Sequence, residues 1–307
     1  LSNSQLLIEF SEPLKMEAAE NVNNFLIDKG LGHPRSVFLS DPRNDQLILL
    51  FSSSLKPHED YELIIEGLSD PCNNVTGPIN RAFVYHPDSP YDIVINEIMF
   101  DPHPAERLPG AEYVELYNRS DYKISLNGWH ISIGGSLHKF GKFLLLPDGY
   151  CIVCDCAHKE AFQVYGTVCC LEDFPAISNT GDTLVLLNDS DKVIDHVAYS
   201  ENWKEGDLRP DGGYSLEKLD PGNLCSGKDN WIFSQDDLGG TPGYKNSVFC
   251  SNPDLTPIRP KHITVVDSAV VAVHFNEAYD RNTVKDPGIY RVPGLGKPID
   301  ITLQPPD

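Results

Sequence analysis

The sequence predicts an all-β protein made of β-sandwich domains in tandem. Three observations lead there. Apolar residues alternate with polar ones in short runs, the runs are separated by turns rich in Gly, Pro, Asn and Asp, and segments with helical periodicity are few and short.

The first runs are Leu6-Ile8-Phe10, Val37-Leu39, Leu47-Leu49-Phe51, Tyr61-Leu63-Ile65 and Ala82-Val84. A period of two sends alternate side chains to opposite faces, which is the strand pattern. Between the runs stand Pro42-Arg43-Asn44-Asp45, Lys56-Pro57-His58-Glu59 and Ser69-Asp70-Pro71-Cys72-Asn73-Asn74, each supplying turn chemistry. Helix is expected only at Pro13 to Glu20 and Ala157 to Tyr165. Linkers are expected at Pro87-Asp88-Ser89-Pro90 and from Asn252-Pro253-Asp254 to Pro260. The resulting domains are 1–86, 91–248 and 258–307.

An internal repeat supports the outer two. Leu6-Leu7-Ile8-Glu9-Phe10-Ser11-Glu12 aligns with Val271-Ala272-Val273-His274-Phe275-Asn276-Glu277, and an aromatic follows at the same distance in each, Phe25 and Tyr290. The first copy, with Phe10 to Leu14, Asn24 to Ile27, and Tyr61-Glu62-Leu63 leading to Asp70-Pro71-Cys72-Asn73-Asn74, resembles the bacterial Ig-like module of surface-layer proteins. The first copy is expected to lack its opening strand, and the second to hold little beyond its opening strands. From this comes the expectation of strand exchange through 261–273, within the chain or between molecules.

The middle segment resembles the bacterial lamin tail domain over about 91–248. The motifs that carry the likeness are Ile93 to Met99, Glu112 to Ser120, Leu126-Asn127-Gly128-Trp129, Ile177 to Asp182, Val193 to Tyr199, Tyr214 to Lys218 and Gly240 to Asn246. The resemblance implies an Ig-like β-sandwich. It also implies an exported setting, since bacterial members stand beside hydrolases such as nucleases and phosphoesterases, with a proposed role in attachment to the cell envelope or matrix. Its structural signature falls on Asn96, Glu97, Glu115, Asn118, Gly128, Trp129, Asn179, Gly181, Asp182, Asp195, Gly240, Thr241, Pro242 and Gly243.

Several of these residues have a physical role independent of any family. Trp129 follows the Asn127-Gly128 turn and opens the alternation Trp129-Ile131-Ile133, so it is expected in the sandwich core. Asn179-Thr180-Gly181-Asp182 supplies the turn before Leu184 to Leu187, and Pro242-Gly243 an exit turn.

Carboxylates at Glu97, Asp101, Glu112, Glu115 and Asp195 raise the idea of a calcium-type oxygen site. Alternation, however, puts Glu115 on the face of Tyr113 and Tyr117 and Glu112 on the other, so one compact site does not hold both. The favoured reading has Asn96, Glu97 and Asn118 hydrogen-bonding backbone at strand ends. Cys151, Cys154, Cys156 and His158, with Cys169 and Cys170 downstream, have zinc-like spacing. A strand over Tyr150 to Asp155 would turn Cys151 away from Cys154 and Cys156, which favours buried apolar cysteines, with a disulfide to Cys169 or Cys170 left open. No cofactor is expected and no metal is required.

Composition narrows the function classes. The 307 residues suit two domains or slightly more, and 40% hydrophobic against 22% charged residues suits ordinary cores. Forty-five acidic and 24 basic side chains give a net charge of −21, which repels polyanions, so direct nucleic-acid binding is not expected. Apolar runs such as Leu47 to Phe51 and Phe143 to Leu146 are far shorter than the roughly 18 residues of a membrane span. The opening Leu1-Ser2-Asn3 carries neither initiator Met nor signal peptide, and the chain reads as a fragment. The Gly-x-Ser-x-Gly elbow, His-Glu-x-x-His helix, phosphate-binding glycine loop and dinucleotide fingerprint are all absent, and His130, His138, His158 and His196 have no nucleophile and acid in register. The expected function is therefore a non-catalytic binding, spacing or adhesion region of an exported, cell-surface or periplasmic bacterial protein, tethering a hydrolase to the envelope or matrix, with an envelope, matrix or protein ligand. The alternative is a metal-dependent hydrolase using the acidic cluster around Glu97.

Overall fold

The structure is a computed structural model and describes residues 3–104, 107–204, 212–225, 227–276, 279 and 281–303. Two compact units divide the chain, Leu1–Pro87 and Asp88–Asp307.

The first unit holds β1 (Gln5–Glu9), α1 (Met16–Ala19), β2 (Phe25–Ile27), β3 (Ser36–Leu39), β4 (Gln46–Leu50), β5 (Asp60–Ile65) and β6 (Ile79–Val84). They form two antiparallel three-stranded sheets, ordered β1-β4-β3 and β2-β5-β6. The alternation fixes which side chains meet between them. Leu47 and Leu49 from one sheet and Phe25, Ile27, Tyr61, Leu63 and Ile65 from the other are buried in one core. Helix α1 is shorter than the sequence suggests because Leu14 N–H donates to Asn44 O and Lys15 N–H to Ser69 O, which ties the preceding residues to neighbouring loops.

The second unit begins with β7 (Ile93–Met99), β8 (Tyr113–Asn118), β9 (Ile124–Ser125), β10 (His130–Ile133), β11 (Ser136–Lys139), β12 (Leu144–Leu145) and β13 (Tyr150–Asp155). After α2 (Lys159–Phe162) come β14 (Val168–Leu171), β15 (Gly181–Leu187), β16 (Val193–Ser200), β17 (Leu216–Lys218) and β18 (Trp231–Phe233). A six-stranded sheet runs β14-β13-β8-β7-β17-β18 and a four-stranded one β11-β10-β15-β16, with β12 and β9 as a separate pair. Only the β13–β14 pairing is parallel among the described ladders of this unit.

The main core lies between these two sheets and includes Ile93, Ile95, Val114, Leu116, Trp129, Ile131, Leu184 and Leu186. The six-stranded sheet is covered on its other face as well. There Tyr113, Ile152 and Cys154 pack with Phe162 of α2 in a second apolar cluster. All seven residues of β7 are consequently buried. A strand buried on both faces loses the alternation expected of a half-exposed one, and Ile93 to Met99 reads accordingly as a near-continuous apolar run interrupted by Asn96 and Glu97.

The unit ends with β19 (Pro260–Val265), β20 (Val271–Phe275) and α3 (Arg281–Val284). β19 pairs antiparallel with β20, and every residue of β19 is exposed. The repeat inferred from Leu6 to Glu12 extends into local geometry, although Glu277 lies outside the described residues, as do Leu1 and residues 304–307. In the first copy the Asn21 side chain caps a 3-10 turn at Val22–Asn24, and in the second Asp286 caps Pro287–Ile289 in the same way. A bridge then joins Ile27 to Gly32 and Val292 to Gly296. The text around both bridges matches, Gly30-Leu31-Gly32-His33-Pro34 against Gly294-Leu295-Gly296-Lys297-Pro298. Helix α3, which the sequence reading missed, is the counterpart of α1. Among the described residues no helix is long and apolar enough to cross a membrane.

Candidate functional site

On the side of the six-stranded sheet away from the main core, three glutamates form a row. Glu97 on β7 is the ladder partner of Glu115 on β8 and of Glu217 on β17. A register irregularity between Ile95 and Glu97 accompanies the pairing with β8. All three residues have 0% exposure.

Burying carboxylates is costly unless hydrogen bonds replace water, and the 240–248 segment does this. Glu97 Oε1 accepts from Tyr113 and Ser215 hydroxyls and from the Thr241 N–H at 2.9 Å. Glu115 accepts from Asn96 Nδ2 at 2.9 Å and from the Gly243 N–H. Glu217 Oε2 accepts from Ser247 Oγ at 2.8 Å and Val248 N–H at 3.1 Å. The segment must lie very close to the row. A Cβ on Gly240 would stand 2.6 Å from Glu97 Oε1 and Tyr113 Oη; one on Gly243, whose φ is +85°, would meet instead the backbone after α2, 2.3 Å from Tyr165 O. The Gly240-Thr241-Pro242-Gly243 signature is therefore a lid over buried acids as much as an exit turn.

Electrostatics follow from this packing. Burial, then the Glu217 carboxylate beside it, pushes Glu97 up to about 7. Burial, then the Glu97 charge, pushes Glu115 well above the ordinary carboxylate range. Among the described residues no group of three or more His, Cys, Asp or Glu side chains is arranged to hold a metal ion.

The acids proposed from sequence divide between different places. Glu97 and Glu115 meet, but in mid-sheet and with Glu217 rather than with Asp101, Glu112 or Asp195. Glu112 accepts from Ile177 N–H at 3.0 Å and has Asp101 and Asp182 as its electrostatic neighbours. Asp195 accepts from Ile95 N–H at 2.7 Å and pairs with buried Lys218 at 3.5 Å. Asn118 does bond backbone, donating to the carbonyls of Tyr122, Leu145 and Leu146. Asn96 and Glu97 depart from the strand-end reading: they lie in mid-strand and bond mainly to side chains, because both faces of β7 are covered. Asp182 accepts from Ser178 and Thr183 N–H groups, closing the turn through Asn179 and Gly181. Gly128 has a φ of +86°, and Trp129 behind it is 1% exposed in the main core.

The cysteine cluster also divides. Cys151 lies in the main core and Cys154 in the second cluster, on opposite faces of β13. Cys156, just beyond the strand, forms a disulfide with Cys170 on β14, and His158 is exposed.

Sequence reasoning did not single out Glu217, Ser215 or Asn246 as site residues. The signal was present, since Ser215 and Glu217 alternate within Tyr214-Ser215-Leu216-Glu217-Lys218 and so share a face.

Beside the row opens a cavity of about 350 Å³. Asn96 and Asn246 lie at its buried floor, while Tyr117, Tyr150, Arg119 and Lys245 are among its walls. Tyr117 and Tyr150 are ladder partners and stack with ring centroids 4.7 Å apart.

Residues 86–201 match the family model described as Lamin Tail Domain. That family has an Ig-like sandwich fold, and the chain around the match is nearly all β. No curated protein matches. Among solved structures, the N-terminal part of the bacterial S-layer protein SbsC is similar at 14% identity and a TM-score of 0.34, covering 65% of this chain and 42% of that one. A DUF4876 family protein from Bacteroides thetaiotaomicron gives 11% identity and a TM-score of 0.32, covering 76% and 92%. Domains 1–6 of SbsC give 12% and 0.28, covering 90% and 44%. The chain thus spans less than half the length of either SbsC structure.

Proposed function

We propose that this chain is a non-catalytic binding and spacing region of an exported, cell-surface or periplasmic bacterial protein, which attaches a larger polypeptide, a hydrolase included, to envelope or matrix material. One observation carries the reading. Glu97, the acid on which a hydrolytic site would turn, is fully enclosed, and its Oε1 already accepts three hydrogen bonds from within the fold. A general base must reach the proton it abstracts, and this one faces a lid rather than a substrate. The Cys156–Cys170 disulfide supports the compartment, because such bonds persist where the surroundings are oxidising.

Co-sedimentation with purified bacterial envelope, paired with phosphodiester and phosphomonoester assays in Mg²⁺, Mn²⁺, Zn²⁺ and Ca²⁺, tests the reading. Retention on envelope without turnover is expected. Metal-dependent hydrolysis that disappears in Glu97→Gln would replace it with the hydrolase alternative.

A further inference from the structure

The cavity beside the glutamate row has a lining unlike the rest of this acidic surface. Two cations reach it. Arg119 uses one guanidinium nitrogen to hold Tyr91 O at 2.9 Å, and its fork has further N–H groups to offer. Lys245 is exposed and rests 3.4 Å over the Phe249 ring. The one carboxylate in the lining, Asp220, is engaged on both oxygens, accepting from Gly222 N–H at 2.8 Å and Asn252 N–H at 2.9 Å.

Two tyrosine rings stand beside these charges, with the Tyr117 hydroxyl donating to Asp148 at 3.0 Å. Tyr117 and Tyr150 stack across neighbouring strands and stay uncharged, since burial raises both phenols, Tyr150 to about 12. The floor is polar and held from within. Asn96 spends its amide hydrogens on Glu115 and Asn246, and its Oδ1 is buried away from the cavity surface with no hydrogen-bond partner.

We infer that this cavity binds a hexuronic-acid unit of an acidic polysaccharide. A pyranose ring has an apolar C–H face for the tyrosine rings, hydroxyl groups that stay hydrated at the open side of the cavity, and one carboxylate for Arg119 and Lys245. A neutral hexose leaves the cations unused, and a simple carboxylate leaves the rings bare. The volume, about 350 Å³, is at the lower end of small-molecule sites and suits one sugar unit of a chain that runs on into solvent. The net charge of −21 opposes any anion at long range, so binding is local and modest.

The inference rests on the binding reading above by naming a ligand for it, and its test can fail separately. Amide chemical shifts of the whole chain are followed during titration with tri-galacturonate, with galactose trisaccharide and acetate as controls. Shifts at Tyr117, Tyr150 and Lys245 are expected with the uronate alone, and Lys245→Gln, a change at an exposed side chain, should weaken binding about tenfold, as for loss of one charge-assisted contact. Tyr117→Leu should weaken the uronate as well, through loss of the aromatic contact. Equal shifts with galactose, equal shifts with acetate, or none with the uronate would each overturn the assignment. Envelope co-sedimentation that persists in Lys245→Gln would then show attachment through another surface, whereas loss of all envelope binding in the unaltered chain would remove the broader reading itself.

Discussion

Glu97 and Glu217 face each other across the β7–β17 ladder, and the Thr241 hydroxyl stands between them, 3.4 Å from Glu97 Oε2 and 3.0 Å from Glu217 Oε1. A single hydroxyl hydrogen cannot satisfy two carboxylates. A proton retained on Glu97 resolves the conflict, because the acid then donates where the anion would repel.

Stability of the second unit should consequently fall as pH rises from about 4.5 to about 7. Over that window the folded protein holds a proton on Glu97 that the unfolded chain has released, so raising the pH favours unfolding, by no more than about 1.4 kcal/mol per pH unit for this group. Asp88 and Glu112, both raised chiefly by burial, act in the same direction. His196 opposes them, since burial lowers it and its contribution improves as pH rises toward 6.5. Urea melts of the chain and of Glu97→Gln at matched pH isolate the Glu97 part. The variant should have the flatter profile, and parallel profiles would rule out a proton held there.

The lid makes its own prediction. Gly240→Ala places a methyl group 2.6 Å from Glu97 Oε1 and Tyr113 Oη and 2.8 Å from Ser215 Oγ, with no flexible surface side chain to yield. A loss of about 1–3 kcal/mol is expected for such overpacking. Gly141→Ala is the control, as nothing stands within 4 Å of its added Cβ. Equal melting of the two variants would mean that the lid does not press on the row.

How far the sequence revealed this arrangement depends on what each strand covers. Leu47 and Leu49 alternate because one face of β4 meets the core, and the first unit was legible for that reason. β7 was harder. Both its faces are covered, and period-two reasoning gives no face to the polar pair Asn96-Glu97. Glu217 lies 120 positions beyond Glu97, and nothing local pairs them; the partnership is made by sheet order, which alternation does not specify. The disulfide followed the same rule. Alternation correctly separated Cys151 from Cys154, but Cys156 reaches Cys170 only because β14 lies parallel beside β13.

Trp129→Ala should cost the second unit about 3–5 kcal/mol, as for deletion of a large buried aromatic. The side chain is 1% exposed within the core between the two sheets, and its neighbours there come from several strands, which limits collapse into the space left. Denaturant melts measure the loss. A variant of undiminished stability that no longer binds envelope would make Trp129 a ligand platform instead.

Reduction of Cys156–Cys170 should lower stability by up to about 3 kcal/mol, the chain-entropy value for a loop of this size, given a separation of 14 residues. Cys156→Ser should reproduce the effect of dithiothreitol and be insensitive to further reductant. Melting temperatures with and without reductant decide this, and an unaltered chain indifferent to dithiothreitol would show that the bond does not constrain the unfolded state.

The last prediction concerns strand exchange through 261–273. In the first unit β1 pairs with β4 and occupies the end of its sheet, β1-β4-β3. In the repeat β20 takes the place of β1, and β19 lies against it as one further strand. The second copy therefore displays the partner that the outer edge of β1 is built to accept, and exposed strand edges recruit such partners. β19 carries Ile263 at 62% and Val265 at 73% exposure, apolar side chains that gain by being covered. Between molecules, β19 of one chain should add to β1 of another. Sedimentation velocity is expected to show a concentration-dependent dimer, with slower hydrogen exchange in Gln5–Glu9 as it forms. Val266 N–H donates to Val270 O, so by alternation Thr264 N–H faces β20 and Ile263 N–H faces the open edge. Ile263→Pro removes that outward N–H and should return the chain to monomer without altering exchange in β4. A chain that stays monomeric at every concentration, or a dimer indifferent to Ile263→Pro, would exclude exchange through this segment.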